Sequence, residues 1–280
     1  MLKLLTAGES HGPALNLILD GFPRGLSVDM QALQNDLLQR RSGFGRSGRM
    51  KIEKDQFEII AGIRQGKTTG NPISITIANC DYANWKNETS PYANNNASAN
   101  IELTQPRPGH VDLAAAQKYL TPDARDAVER ASARSSVPYV LAGSFAKQLL
   151  SHFQMDVLGY VAGIGEIEAP IEIMELPLMR KSVESSPLRC PNSKATEKML
   201  EEIQKVRKKG DTLGGFIEIR AQHICPGLGS FNQWNQKIDS RLAAAIMGIP
   251  GIKGVEIGDG FKLASKSGST VHDKILYSES

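Results

Sequence analysis

Gly8-Glu9-Ser10-His11-Gly12 sets a hydroxyl and an imidazole between two glycines, just ahead of the first apolar run. Glycine lets the backbone turn closely, and imidazole is the side chain suited to moving a proton near neutral pH. The spacing lacks the Gly-x-Ser-x-Gly of a hydrolase elbow, so Ser10 does not read as a nucleophile. Taken alone, so short a motif is more simply a turn carrying a surface histidine. Three further stretches add cations. From Arg40 to Lys51, five basic residues (Arg40, Arg41, Arg46, Arg49 and Lys51) alternate with three glycines and no acid. Guanidinium groups grip phosphate through paired donors, although a solvated basic loop is the plainer account. Arg107-Pro108-Gly109-His110 places a second imidazole where a helix is predicted to open at about Val111, a position that favours nearby anions. In Arg125-Asp126-Ala127-Val128-Glu129-Arg130-Ala131-Ser132-Ala133-Arg134, the fourfold spacing predicts Arg130 and Arg134 on one helical face. Either an anion or a structural pairing with Glu129 would relieve their repulsion.

Two imidazoles, a small hydroxyl set and many arginines, without metal ligands, suit a polyanionic substrate and a phosphorylated cofactor with proton transfer by histidine. The elements that must hold these groups are partly readable. Ala14–Leu19 predicts a strand that ends in the turn Asp20-Gly21-Phe22-Pro23. Phe57–Ala61 and Ile73–Ile77 predict two more, flanking a turn at Lys67-Thr68-Thr69-Gly70, and Phe216–Arg220 and Ile252–Ile257 predict another two. Asp29 is placed to cap a helix with Met30, Leu33, Leu37 and Leu38 on one face, ending near Gly43. Ser193 is placed to cap a second, carrying Met199, Leu200, Ile203 and Val206 and closing at Lys208-Lys209-Gly210. A third runs from about Ile238 to Met247, and the long stretch Arg125–Phe153 must be kinked or divided by Pro138. Asn84–Asn100 reads as a surface loop. Hairpins interspersed with helices predict an α+β fold, taken as one domain over residues 1–280.

Composition narrows the function. With a net charge of +3 and 6% aromatic residues, the chain does not read as a nucleic-acid coat. No apolar run is long enough for a membrane span or a leader, and Cys80, Cys190 and Cys225 are too scattered for a disulfide framework or a zinc site. The expectation is a cytoplasmic protein that binds no nucleic acid, membrane or metal.

The order of these motifs resembles the chorismate synthase family. The resemblance rests on Leu5–Ala14, Arg40–Asp55, Arg107–His110, Glu129–Arg134, Gly210-Asp211-Thr212-Leu213-Gly214-Gly215 and Ile252–Phe261, collinear over essentially the whole chain. It implies a β-α-β sandwich that assembles as a homotetramer. It also implies a lyase of aromatic biosynthesis that removes phosphate from 5-enolpyruvylshikimate 3-phosphate by anti-1,4-elimination, using reduced FMN. By position, the resemblance makes His11 the group assisting phosphate departure and His110 a flavin contact. Arg130, Ala131, Ser132, Pro250 and Gly251 become FMN-binding. Arg40 and Arg46 match NADPH positions of bifunctional members, while Ser10, Arg49, Arg107 and Arg134 surround the phosphorylated substrate.

The sequence also departs from the family pattern. Where the family shows Glu-Thr and an arginine three residues further on, Ser135, Ser136 and Tyr139 stand here, with Pro138 between them. Pro250 replaces an amide side chain. Segments that follow in family members, Asn-Ala/His-Ala-Gly-Gly, Lys-Pro-Thr and Arg-His-Asp-Pro, do not occur before Ser280. The expectation is therefore an N-terminal portion of such an enzyme. The alternatives are a non-catalytic flavin- or phosphate-binding paralogue, or one piece of a split enzyme.

Overall fold

The first sheet grows from alternation. In β2 (Ala14–Asp20), Leu15, Leu17 and Leu19 point one way and are buried, while Asn16 and Ile18 point the other. β1 (Lys3–Ala7) pairs antiparallel with it, Lys3 opposite Asp20 and Ala7 opposite Asn16. On the other side lies β6 (Ile73–Ala78), which contributes Ile73, Ile75 and Ile77, and beyond it β3 (Phe57–Ala61) closes the order β1-β2-β6-β3. Two helices cover the apolar face: α1 (Met30–Arg41) through Leu33 and Leu37, and α4 (Ser136–Ser151) through Val137, Leu141 and Phe145. The computed structural model describes residues 2–45, 52–92, 102–172 and 174–277.

Local signals explain the boundaries. Asp29 caps α1, its carboxylate accepting from the N–H groups of Gln31 and Ala32. Of the four residues predicted to face the core, Leu33 and Leu37 do so, whereas Met30 and Leu38 are exposed. The turn predicted at Lys67–Gly70 lies two residues earlier. Lys67–Thr68 is itself a strand, β5, paired with β4 (Ile63–Arg64). Gln65 and Gly66 reverse the chain at φ 51° and 72°, the left-handed pair a two-residue hairpin turn requires. Glutamine gives no such signal in sequence.

A second sheet, β8-β7-β9, follows, from β7 (Asp156–Ile164), β8 (Ile167–Glu168) and β9 (Gly215–Gln222). α5 (Leu176–Ser185) packs Leu176, Met179 and Val183 on Leu158, Tyr160 and Ala162. α6 (Ser193–Lys208) buries Ala195 and Met199 beside Cys190. Its cap is Asn192, whose side chain accepts from Ala195 N, not Ser193. All strand pairs are antiparallel and the helices lie between them in sequence, so the fold is α+β.

Residues 2–225 form one compact unit and residues 226–277 a second. The second holds α7 (Ile238–Met247), as predicted, and short 3-10 turns at Trp234–Gln236, Gly260–Ser265 and Gly268–Thr270. None of its described residues is buried. The strand predicted at 252–257 is not formed. Its first N–H bonds back to the Ile249 carbonyl (3.2 Å), and no strand among the described residues of this unit is there to complete a ladder.

Leu141 is fully buried between the first sheet and α1. Leu141→Ala should therefore cost about 2–5 kcal/mol through lost burial and the cavity left behind, read as a lower denaturant midpoint at unchanged slope.

Candidate active site

β1 and β2 are joined by residues 8–13, the Ser10-His11 turn. Gly8 starts it at φ 105°, so close to β2 that a Cβ would strike the Ala14 carbonyl oxygen and Leu15 Cα. No other residue type fits there without displacing the strand.

The turn is held from a distance. The stretch Arg125–Phe153 is divided, but at residues 131–135 and not at Pro138. α3 (Arg125–Arg130) ends, Ala131 and Ser132 leave the helix, Ala133–Ser135 makes a 3-10 turn, and α4 restarts. Pro138 is the third residue of α4, inside the first turn, where a missing N–H costs nothing. From α3, the buried Glu129 carboxylate accepts from His11 N (Oε2, 2.7 Å) and meets His11 Nδ1 (2.7 and 2.9 Å). The Glu129 carbonyl accepts from Ser10 N at 3.1 Å. At the break, Ser10 Oγ donates to Ser132 Oγ (2.9 Å). Trp85, following the 3-10 turn Cys80–Asn84, lays its ring 4.2 Å from the His11 ring. The Arg125 guanidinium sits 5.6 Å from the Trp85 ring and 3.7 Å from Glu129 Oε1.

Arg130 and Arg134 do not share a helical face, because the helix stops between them. Arg130 is exposed and reaches β1, donating to the Thr6 carbonyl (2.9 Å) and hydroxyl (2.6 Å). Arg134 is buried. It pairs with Asp55 and with Glu53 (3.3 Å), and donates to Asn79 Oδ1 (2.9 Å) and the Ala78 carbonyl (3.2 Å). Arg40 shares Asp55 (3.2 Å) and donates to Ser136 Oγ (3.1 Å). Ser135 Oγ and Ser136 Oγ bond back to the carbonyls of Ser132 and Ala133 at 2.7 and 2.6 Å. Thus the residues that depart from the family pattern close the 3-10 turn themselves. Buried ions of this kind are tolerated because each has its partners.

The structure therefore brings Ser10, His11, Arg130, Ala131, Ser132, Arg134 and Arg40 into one bonded neighbourhood around the helix break. Arg107 and His110 stand at the start of α2 (Asp112–Tyr119), where Arg107 forks onto Asp112 (2.8 and 3.1 Å) and His110 is exposed. Pro250 and Gly251 belong to the second unit, and Arg46 and Arg49 lie outside the described residues. Glu53, Asp55, Asn79, Trp85 and Glu129 organise the neighbourhood. No spacing in the sequence marks them for it, since the contacts that tie them to His11 and Arg134 cross 55 to 118 residues. Among the described residues no group of three or more metal-ligating side chains forms, and no helix is long and apolar enough to cross a membrane.

Against known proteins, a family model described as chorismate synthase matches residues 2–280. A chorismate synthase of Symbiobacterium thermophilum is 47% identical over 283 residues, covering 99% of this chain and 72% of that protein. One of Alkaliphilus metalliredigens is 46% identical, covering 100% and 73%. A solved structure described as a crystal structure of chorismate synthase superposes with TM-score 0.80 at 36% identity, covering 99% of this chain and 75% of that one. This chain belongs to the chorismate synthase family. Ser10-His11, on which the resemblance partly rests, is the turn between β1 and β2, and Arg130-Ala131-Ser132 runs from the last residue of α3 into the break before α4.

The Arg107 fork has a measurable consequence. Its hydrogen bonds, side chain first, hold the Asp112 carboxyl down to about 2 from an ordinary 3.8. A depressed carboxyl stabilises the fold above its unfolded value and loses that contribution as pH falls through the folded one. Asp112→Asn should therefore remove a component of acid unfolding between pH about 4 and about 2, leaving a flatter stability profile there.

Proposed function

We propose that this chain catalyses the anti-1,4-elimination of phosphate from 5-enolpyruvylshikimate 3-phosphate to give chorismate, as a carbon–oxygen lyase of aromatic biosynthesis. The observation that carries this is the Ser10-His11 turn, an imidazole fixed by a buried carboxylate beside arginines and serines that suit anions. In the elimination a ring C–H proton passes to solvent water, the electron pair it leaves forms the new double bond, and the C–O bond breaks with its pair departing on phosphate. His11 gives a proton to the departing phosphate, which leaves more readily as its charge is met. Ser10, Arg49, Arg107 and Arg134 serve the substrate. Arg134 acts through the buried cluster that fixes the turn's supports.

The donors at the break fit a flavin nucleotide. Arg130 is an exposed guanidinium tethered by Thr6, Ala131 beside it is exposed and small, and Ser132 offers a hydroxyl. We assign FMN to Arg130, Ala131 and Ser132, with His110 as a further flavin contact; for Pro250 and Gly251, in the second unit, a flavin role rests on the family resemblance alone. Reduced flavin supplies electron density to a reaction that is redox-neutral overall. Arg40 and Arg46 are assigned to NADPH. The cytoplasm, a homotetramer and a single domain over residues 1–280 complete the reading, the last of these supported by the family model's span of 2–280.

The test is anaerobic, with dithionite-reduced FMN and 5-enolpyruvylshikimate 3-phosphate. The 280-residue chain should form chorismate, and His11→Ala should lower kcat on the order of 100- to 10,000-fold, the span of general acid catalysis, with FMN affinity retained. Chorismate formation by His11→Ala at the unmodified rate overturns the assignment of His11. No chorismate from the unmodified chain overturns the activity.

A further inference from the structure

We propose that Glu129 and Trp85 are positioning residues for His11, fixing which ring nitrogen holds its proton and where the other one points. The inference rests on His11 serving as the acid, but its geometry stands separately. Glu129 is 3% exposed, and its carboxylate has only acceptors to offer. His11 Nδ1 lies 2.7 Å from one carboxylate oxygen and 2.9 Å from the other, so Nδ1 carries a hydrogen and donates it. The same carboxylate accepts the His11 backbone N–H at 2.7 Å, and the Glu129 carbonyl accepts that of Ser10 at 3.1 Å. One residue on α3 thus grips the turn through main chain and ring together.

Holding Nδ1 fixes one end of the imidazole, and Trp85 limits rotation about it. The two rings are 4.2 Å apart and inclined at 33°, so a flip of the imidazole must displace the indole. The indole is itself anchored, its Nε1 donating to Asp81 Oδ2 at 3.2 Å, with Arg125 lying against it and reaching back towards Glu129. Thr89 Oγ1 donates to the His11 carbonyl at 3.4 Å. Among the described residues, charged groups around the ring include Glu129 and Arg125 from α3, Asp81 behind the indole and Glu9 on the turn itself, whose Oε2 lies against Gly12.

The chemical consequence concerns the path of the proton. An imidazolium with Nδ1–H committed to Glu129 can release only its Nε2 proton. That proton passes to an oxygen of the departing phosphate, and the ring is left as the neutral Nδ1–H form. This product is the tautomer that Glu129 already binds, so no hydrogen bond has to be remade during the transfer. A histidine without the carboxylate would divide between two tautomers, and only one of them re-protonates at the working nitrogen.

The experiment compares Glu129→Gln, Glu129→Asp and Trp85→Leu with the unmodified full chain. Two readings are taken: kcat and KM in the anaerobic assay, and long-range proton–nitrogen NMR of 15N-histidine-labelled protein without substrate, which identifies the protonated ring nitrogen of His11. Glu129→Gln should lower kcat on the order of 10- to 100-fold, the span seen when a histidine at a metal site loses its orienting partner, with KM within about threefold. Its His11 signal should shift from Nδ1–H alone to a mixture of tautomers. Glu129→Asp, which keeps the acceptor, should restore part of both. Trp85→Leu should lower kcat while leaving Nδ1 protonated, because it frees the ring's direction and not its proton. If Glu129→Gln does not fold, the Asp and Leu variants carry the same two readings. Undiminished kcat in Glu129→Gln, or a fall in kcat with an unchanged His11 signal, overturns the proposal. A tautomer shift in Glu129→Gln together with full activity in His11→Ala would instead uphold the positioning and overturn His11 as the acid.

Discussion

Burying a guanidinium commits a fold to surrounding it with acceptors, and Arg134 makes that commitment here. It is 5% exposed, and its nitrogens are met by Asp55, Glu53, Asn79 and the Ala78 carbonyl. Leaving such a charge without partners costs several kcal/mol, so these elements hold one another in place. Glu53 also accepts Cys80 N (2.9 Å), Asp55 also binds Arg40, and the Asn79 amide donates to the carbonyls of Glu9 (3.1 Å) and Gly12 (2.7 Å). The last two bonds bracket His11. The position of the imidazole therefore follows, two bonds away, from the need to satisfy Arg134.

The break between α3 and α4 is where that requirement meets backbone geometry. A continuous helix would carry Arg134 round to the face of Arg130, away from Asp55. Leaving the helix at Ala131 and Ser132 separates the two arginines, one outward to β1 and one inward. The turn's own serines make this possible, since Ser135 and Ser136 bond to carbonyls that a helix would otherwise have used. Pro138 then sits in the first turn of the next helix, buried.

Legibility in the sequence followed the range of the forces involved. β2, β3, β6, β9, α1 and α7 are written in short periodic patterns, and each lies where the pattern puts it. β1 leaves no trace in the sequence because Lys3–Ala7 has no apolar alternation and is exposed but for the half-buried Thr6. β7 went unread because Gly159 and Gly163 interrupt its apolar run, the second making room for the Phe216 ring. Residues 252–257 have the composition of a strand but no partner strand, and composition cannot supply one. In the site, the residues suited to anions were visible one motif at a time. The carboxylates and the indole that draw them together were not, because Glu129 meets His11 across 118 residues of chain and Asp55 meets Arg134 across 79.

That separation also orders events in time. β1 and β2 are close neighbours in sequence and can pair as soon as both exist. The residues that fix the turn between them are Glu129, Ser132 and Arg134, which a ribosome adding 5–20 residues per second delivers roughly 6–24 s after His11. During that interval the nascent hairpin holds its histidine on a loop with no carboxylate to bind it. His11 is thus made early and fixed late, and any slowing of synthesis between residues 20 and 129 lengthens the time it spends without Glu129.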